Sequence, residues 1–131
     1  MIRKNYFALV LATIAGAAIG ASAMTGLKAQ NKPRAYIVTE VDVTGDREAY
    51  MRDYVSHVQA TLDPFGGRFV VRGGRTVATE GDPPKGRISI VVFDSFEKAQ
   101  AFRTSPEYLK IYPVRERLTK SRQYIVEGVT E

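Results

Sequence analysis

The chain has 131 residues, enough for one domain, and no cysteine, which excludes a disulfide framework, a thiol nucleophile, a thiolate metal site and a lipid-modified N-terminal cysteine. Its single histidine, His57, excludes a histidine-rich metal centre within one chain. The formal net charge is +5, but setting aside Arg3, Lys4 and Lys28 of an acid-free N-terminal segment leaves sixteen basic against fourteen acidic residues, too balanced to point to nucleic acid.

Residues 1–29 have the order of a secretory signal peptide. A short basic start at Arg3-Lys4 precedes an uncharged run from Tyr6 to Met24, and small residues follow. Cleavage after Ala29 leaves a polar lead-in, Asn31-Lys32-Pro33, to the first strand; cleavage after Ala23 is the alternative. The rival reading is an uncleaved anchor, because the run approaches the roughly 20 residues that span a bilayer. Either way the domain, residues 30–131, is expected outside the cytoplasmic membrane, periplasmic or secreted. Its only expected membrane contact is through the leader.

Arg34 to Val43 reads as the first strand, with Ile37, Thr39, Val41 and Val43 on one face and Tyr36, Val38, Glu40 and Asp42 on the other. Thr44-Gly45-Asp46 breaks it and offers a cap for a helix over residues 47–62. Met51, Tyr54, Val55, Val58 and Leu62 form that helix's apolar stripe, with Tyr50 flanking it and Asp63-Pro64 as the stop. A second strand over 68–72 places Phe69 and Val71 opposite Arg68, Val70 and Arg72. Thr76 to Glu80 can extend the sheet, and Gly81 to Gly86 is a loop. A third strand over 87–93 sets Ile88, Ile90 and Val92 against Ser89, Val91 and Phe93. Asp94, with Glu97 three residues on, predicts a capping box for the next helix, whose inner face is Phe96, Ala99 and Phe102. Ser105-Pro106 starts a further helix that Pro113 is expected to end, with a polar return over 115–120 and a last strand over 122–128.

The order strand, helix, strand, strand, helix, strand is the ferredoxin-like βαββαβ plan: α+β, with an antiparallel sheet and its helices on one face. The helix-free face is expected to be apolar through Val38, Val70, Val91 and Phe93 or their strand neighbours. Large exposed apolar patches mark interfaces. A two-fold homodimer stacking sheet on sheet is the simplest solution.

The blocks Tyr36-Ile-Val-Thr-Glu-Val-Asp-Val, Gly66-Gly67-Arg68 through Arg72-Gly73-Gly74, Glu80-Gly81-Asp82 and Ser105-Pro106-Glu107-Tyr108 resemble the domain-of-unknown-function family numbered 1330. The resemblance runs from Tyr36 to Gly128. It implies the dimeric α+β barrel superfamily, which also holds antibiotic-biosynthesis-type monooxygenases and stress-responsive barrels. The family itself implies no activity.

The candidate chemistry is sparse. Arg72-Gly73-Gly74-Arg75 lacks a P-loop ending and reads as a turn or bulge. Glu40, Arg68 and Arg72 can share the helix-free face, either as a structural ion pair or as an anion or carbonyl site in which Glu40 orients an arginine fork. His57 is either a rim histidine or a general base. Tyr50 and Tyr54, one helical turn apart, pack as core or line a pocket with Tyr36. No metal cluster, cofactor fingerprint or nucleophile triad is present in the sequence. The leading expectation is therefore an exported small-molecule-binding domain with no established activity. The alternatives are a cofactor-independent monooxygenase or isomerase, and a structural or stress-related homodimer.

Overall fold

The computed structural model describes residues 32–130, so the expected leader, its cleavage positions and the anchor reading lie outside the described residues. Among the described residues no helix is long and apolar enough to cross a membrane.

Alternation of apolar and polar residues makes β1 (Ala35–Val43) two-faced, and the sheet forms around it. β2 (Arg68–Arg72), β3 (Arg87–Phe93) and β4 (Thr119–Glu127) complete a four-stranded sheet in the order β2-β3-β1-β4. Every neighbouring pair is antiparallel. The α+β, ferredoxin-like plan read from the sequence is the one observed.

Three helices cover one face. The first, α1 (residues 47–62), has an α-helical start at Arg47–Tyr50, a π-helical turn at Met51–Val55 and an α-helical end at Ser56–Leu62. Asp46 caps it by accepting from the Ala49 amide at 3.0 Å. Pro64 ends it in a single 3-10 turn, Asp63–Phe65, closed by Gly66 at a φ of 69°, where a side chain would be strained. The other two are α2 (Phe96–Arg103) and α3 (Pro106–Leu118). Ile37, Val91 and Phe93 of the sheet pack against Val58 and Leu62 of α1 and Phe102 of α2 to form the core.

Four local expectations are corrected. Ser95, not Asp94, caps α2, its hydroxyl accepting from the Lys98 amide at 3.2 Å. The stretch 76–80 is not a strand: Val77 is its one large apolar residue and is exposed, so no face could be buried. Pro113 does not end α3, which runs on to Leu118. A proline inside a helix costs about 3 kcal/mol, but Arg115 and Leu118 are buried beyond it, and their packing holds the helix together. β4 accordingly begins earlier than expected, at Thr119.

The fourth correction reorients the sheet. Register shifts between Phe69 and Val71, so Phe69 pairs with Val91, Val71 with Ile90 and Arg72 with Ser89. Val70 is the extra residue of a β-bulge. Phe69 and Arg72 therefore share the helix-covered face, whereas simple alternation put them on opposite faces. Val91 and Phe93 also face the helices, so the helix-free face is built from Val38, Val71, Ile90, Val92 and Val126 with Tyr124.

Candidate functional site

Between sheet and helices lies a cavity of about 360 Å³. Its floor is striped by strand register. One row is apolar: Phe69 on β2, Val91 on β3 and Ile37 on β1. The next is polar: Arg72 on β2, Ser89 on β3, Thr39 on β1 and Gln123 on β4. Gln123 Nε2 donates to Thr39 Oγ1 at 2.8 Å. The roof is α1, which contributes Tyr50, Tyr54, Val55 and Val58. The π-helical turn widens the spiral between Tyr50 and Val55 by one residue, and such turns recur at functional sites. Both tyrosines are buried, with their rings stacked 5.4 Å apart at 13°.

The inner end is made by three side chains from two helices, Tyr54 of α1 and Tyr108 and Arg115 of α3. Tyr108 and Arg115 lie seven residues apart on α3, on one face, and both are buried. Arg115 Nη1 donates to the Tyr108 hydroxyl at 2.9 Å. That hydroxyl lies 3.2 Å from the Tyr54 hydroxyl. The guanidinium fills one lone pair of Tyr108, and the Tyr108 proton can then point at Tyr54, leaving the Tyr54 proton for the cavity. Arg103 is held over the faces of Tyr108 and Tyr112, at 4.9 and 4.8 Å.

The electrostatics are one-sided. Arg47, Arg72, Arg87 and Arg115 line the cavity and no aspartate, glutamate or histidine does. Only 4 % of Arg115 is exposed, and among the described residues it forms no salt bridge. Burial works against its charge, but the Tyr54 and Tyr108 oxygens outweigh this and its pKa is raised. Burial, followed by the neighbouring Tyr108, pushes Tyr54 far above the ordinary phenol range. Burial likewise raises Tyr50. The two phenols stay protonated. Beyond Arg115 and Gln123, which line both spaces, a second and more polar cavity of about 510 Å³ opens along β4.

The residues singled out in the sequence are divided by this geometry. Tyr50, Tyr54 and Arg72 line the cavity. Tyr36, Glu40 and Arg68 lie on the helix-free face, where the register sets Glu40 opposite Arg122 and Arg68 opposite Val92. Glu40 meets neither Arg68 nor Arg72. Its carboxylate accepts from Arg122 Nη2 at 3.1 Å and from the Lys85 amide at 3.2 Å. Arg122 is largely exposed, so the pair contributes under about 1 kcal/mol. His57 is exposed on α1 and lines neither cavity, because Val58 takes the inward position beside it. Arg87, Tyr108, Arg115 and Gln123 were not anticipated. The seven-residue spacing of Tyr108 and Arg115 was the available signal, masked by the assumption that Pro113 ended the helix.

Among curated proteins, none matches the sequence significantly. Solved structures match the fold. The chain is similar to the RPA0582 protein of unknown function from Rhodopseudomonas palustris, with a TM-score of 0.60 and 15% identity over 84% of this chain and 94% of that one. It is also similar to SnoaB, a cofactor-independent oxygenase from Streptomyces nogalater, with a TM-score of 0.55 and 15% identity over 76% of this chain and 96% of that one. At such identities the likeness is one of fold alone. The sequence profile of the family described as Domain of unknown function (DUF1330) matches residues 34–129, the whole of the sheet and its helices, and the chain belongs to that family.

Proposed function

We propose that the domain binds a small organic anion with a flat apolar body in the cavity between sheet and helices, and that Arg115 anchors the anionic group. The observation that carries this reading is the buried guanidinium of Arg115 in a cavity with no carboxylate. A buried charge is costly unless paired and hydrogen-bonded. Here two neutral phenols supply the hydrogen bonds, and a ligand carboxylate or enolate would supply the charge. Arginine's planar fork suits a carboxylate, and the apolar floor row and stacked tyrosines suit an aromatic body.

The test is calorimetric titration with para-biphenyl monocarboxylate and with its neutral amide. The acid is expected to bind at least about tenfold more tightly, the difference one charge-assisted hydrogen bond makes. Equal binding of the amide, or no binding of either, would reject the anion site. The raised pKa values of Tyr50 and Tyr54 add a pH expectation. Both phenols keep their protons, so carboxylate affinity stays flat from about pH 6 to about pH 9 and falls only as the ligand's own carboxyl is protonated, near pH 4. A drop in affinity between about pH 6 and pH 7 would implicate a different titrating group.

A second reading, a cofactor-independent oxygenase or isomerase, draws on the same donors. Arg115 and the protonated tyrosines would favour an enolate or phenolate, the electron-rich form that such chemistry requires. Oxygen consumption with an electron-rich polyphenol, without added cofactor, would separate it from simple binding. The third reading, a structural or stress-related dimer, predicts that neither ligand binds nor substrate turns over.

Two further parts of the proposal concern the whole chain. The apolar helix-free face, with Tyr124 and Val126 exposed on it, supports a homodimer stacked sheet on sheet. Light scattering at micromolar concentration tests it, and a monomer would contradict it. The basic start and uncharged run of residues 1–29 support export with cleavage after Ala29, or after Ala23, rather than retention as a membrane anchor. N-terminal sequencing of the mature protein decides this, since an intact Met1 would favour the anchor.

A further inference from the structure

The polar floor row spans the full width of the sheet, and its two ends differ. At the β4 end Gln123 and Arg115 stand between the cavity and the second space along β4. At the β2 end stands Arg72, its guanidinium 4.4 Å from the centre of the Phe69 ring. The Arg87 guanidinium comes to the same end. It packs on Gly73, the residue after Arg72, so closely that a side-chain carbon at Gly73 would collide with it. Gly73 has a φ of 67°, which glycine alone adopts without strain, so the backbone turn and the space for Arg87 depend on one residue. Arg72 and Arg87 are exposed at this end, and among the described residues neither is in a salt bridge. Between the ends lie Ser89 and Thr39, with the apolar row beside them and the stacked tyrosines above.

We infer that the cavity takes a two-ended organic diacid, with one carboxylate on Arg115 at the inner end and the second on the Arg72–Arg87 pair at the mouth. The inference rests on the anion-binding reading above and specifies the ligand further. Three strand spacings separate β2 from β4, on the order of 14 Å between backbones. The reach of the arginine side chains shortens this to the length of an extended two-ring molecule. A compact diacid could not touch both ends, and a long flexible one would lose more conformational entropy in doing so. The bulge at Val70 is what makes the second end possible, since Arg72 would otherwise face away from the helices.

The probes are para,para′-biphenyl dicarboxylate, para-biphenyl monocarboxylate and the neutral amide, titrated into the intact protein and into the double variant Arg72→Gln, Arg87→Gln. Both substituted residues are exposed, so the fold is retained. The dicarboxylate is expected to bind the unaltered protein about tenfold more tightly than the monocarboxylate, the gain from one more charge-assisted contact. The double variant is expected to bring the dicarboxylate down to the affinity that the same variant has for the monocarboxylate, because only the contact at Arg115 is then left to either acid. Equal affinity of the two acids for the unaltered protein overturns the two-ended site and leaves the anion site standing. So does a dicarboxylate preference that survives in the double variant. If neither acid exceeds the amide, the anion site itself falls, and the diacid inference with it.

Discussion

Arg115→Met is expected to abolish anion binding while leaving the protein folded. The variant removes the guanidinium that would meet the ligand's acid and leaves any bound carboxylate in a buried setting without its charged partner. That loss is worth about 2–4 kcal/mol, or about 30- to 1000-fold in affinity. Its effect on stability should be much smaller. The partners of the guanidinium are hydroxyls, those of Tyr108 and Tyr54, which keep each other as neighbours at 3.2 Å. No opposite charge is stranded, and the desolvation cost of the buried cation is removed along with it. The unfolding free energy should therefore stay within about 1 kcal/mol of the unaltered protein, or rise. Calorimetric titration beside a urea melt reads both quantities. A variant that still binds the monocarboxylate normally would show that Arg115 is not the anchor.

Tyr108→Ala has the opposite signature. Tyr108 is fully buried and is the largest such side chain in the core. Its ring lies 4.5 Å from Phe102, 6.0 Å from Tyr112 and 6.4 Å from Tyr54, centre to centre. Truncation opens a cavity among aromatic rings that cannot collapse into it, and costs about 3–5 kcal/mol. This is a large part of the 5–15 kcal/mol that stabilises an ordinary domain. The urea midpoint should fall sharply with little change in slope. Tyr108→Phe keeps the ring and loses only the hydroxyl that receives Arg115. It should cost about 1–3 kcal/mol, the penalty for an unmet buried donor. A Tyr108→Ala loss no greater than that of Tyr108→Phe would mean that the ring contributes little, contrary to its packing.

What could be read from the sequence follows from the physics of each element. β1 was legible because it is a β-branched run whose end, Glu40 to Val43, alternates polar and apolar, and the sheet then pairs it on both sides. Its Ile37, Thr39 and Val41 face does lie under the helices. β2 was misread because nothing in Arg68-Phe-Val-Val-Arg72 marks Val70 as the extra residue. Only the partner strand's register reveals it, and that is tertiary information. The first helix was found from its stripe, but the stripe favoured Met51, which is 42 % exposed, over Tyr50, which is buried. A 3.6-residue period cannot anticipate a π-helical turn. The inner end of the cavity was lost to a local rule: Pro113 signals a helix end, and it took the packing of Arg115 and Leu118 to override it. Glu40 looked like the pivotal residue because a carboxylate in an apolar strand is unusual. Its partner, Arg122, lies eighty-two residues away, across a pairing that only the folded sheet makes.

The bulge at Val70 and the π-helical turn at Met51–Val55 share a property that substitution alone cannot alter. Each is one residue longer than regular geometry needs, and they lie on facing walls, floor and roof, of the same cavity. Loss of one residue from the helical turn would let it close into a regular α-helix, with the segments on either side keeping their facing. The extra width of the spiral between Tyr50 and Val55, and the shape it gives the roof, would be lost. The shape of the site is thus set partly by a count of residues in two short segments. In this fold, single-residue insertions and deletions there would redesign the cavity more abruptly than exchanging the side chains that line it.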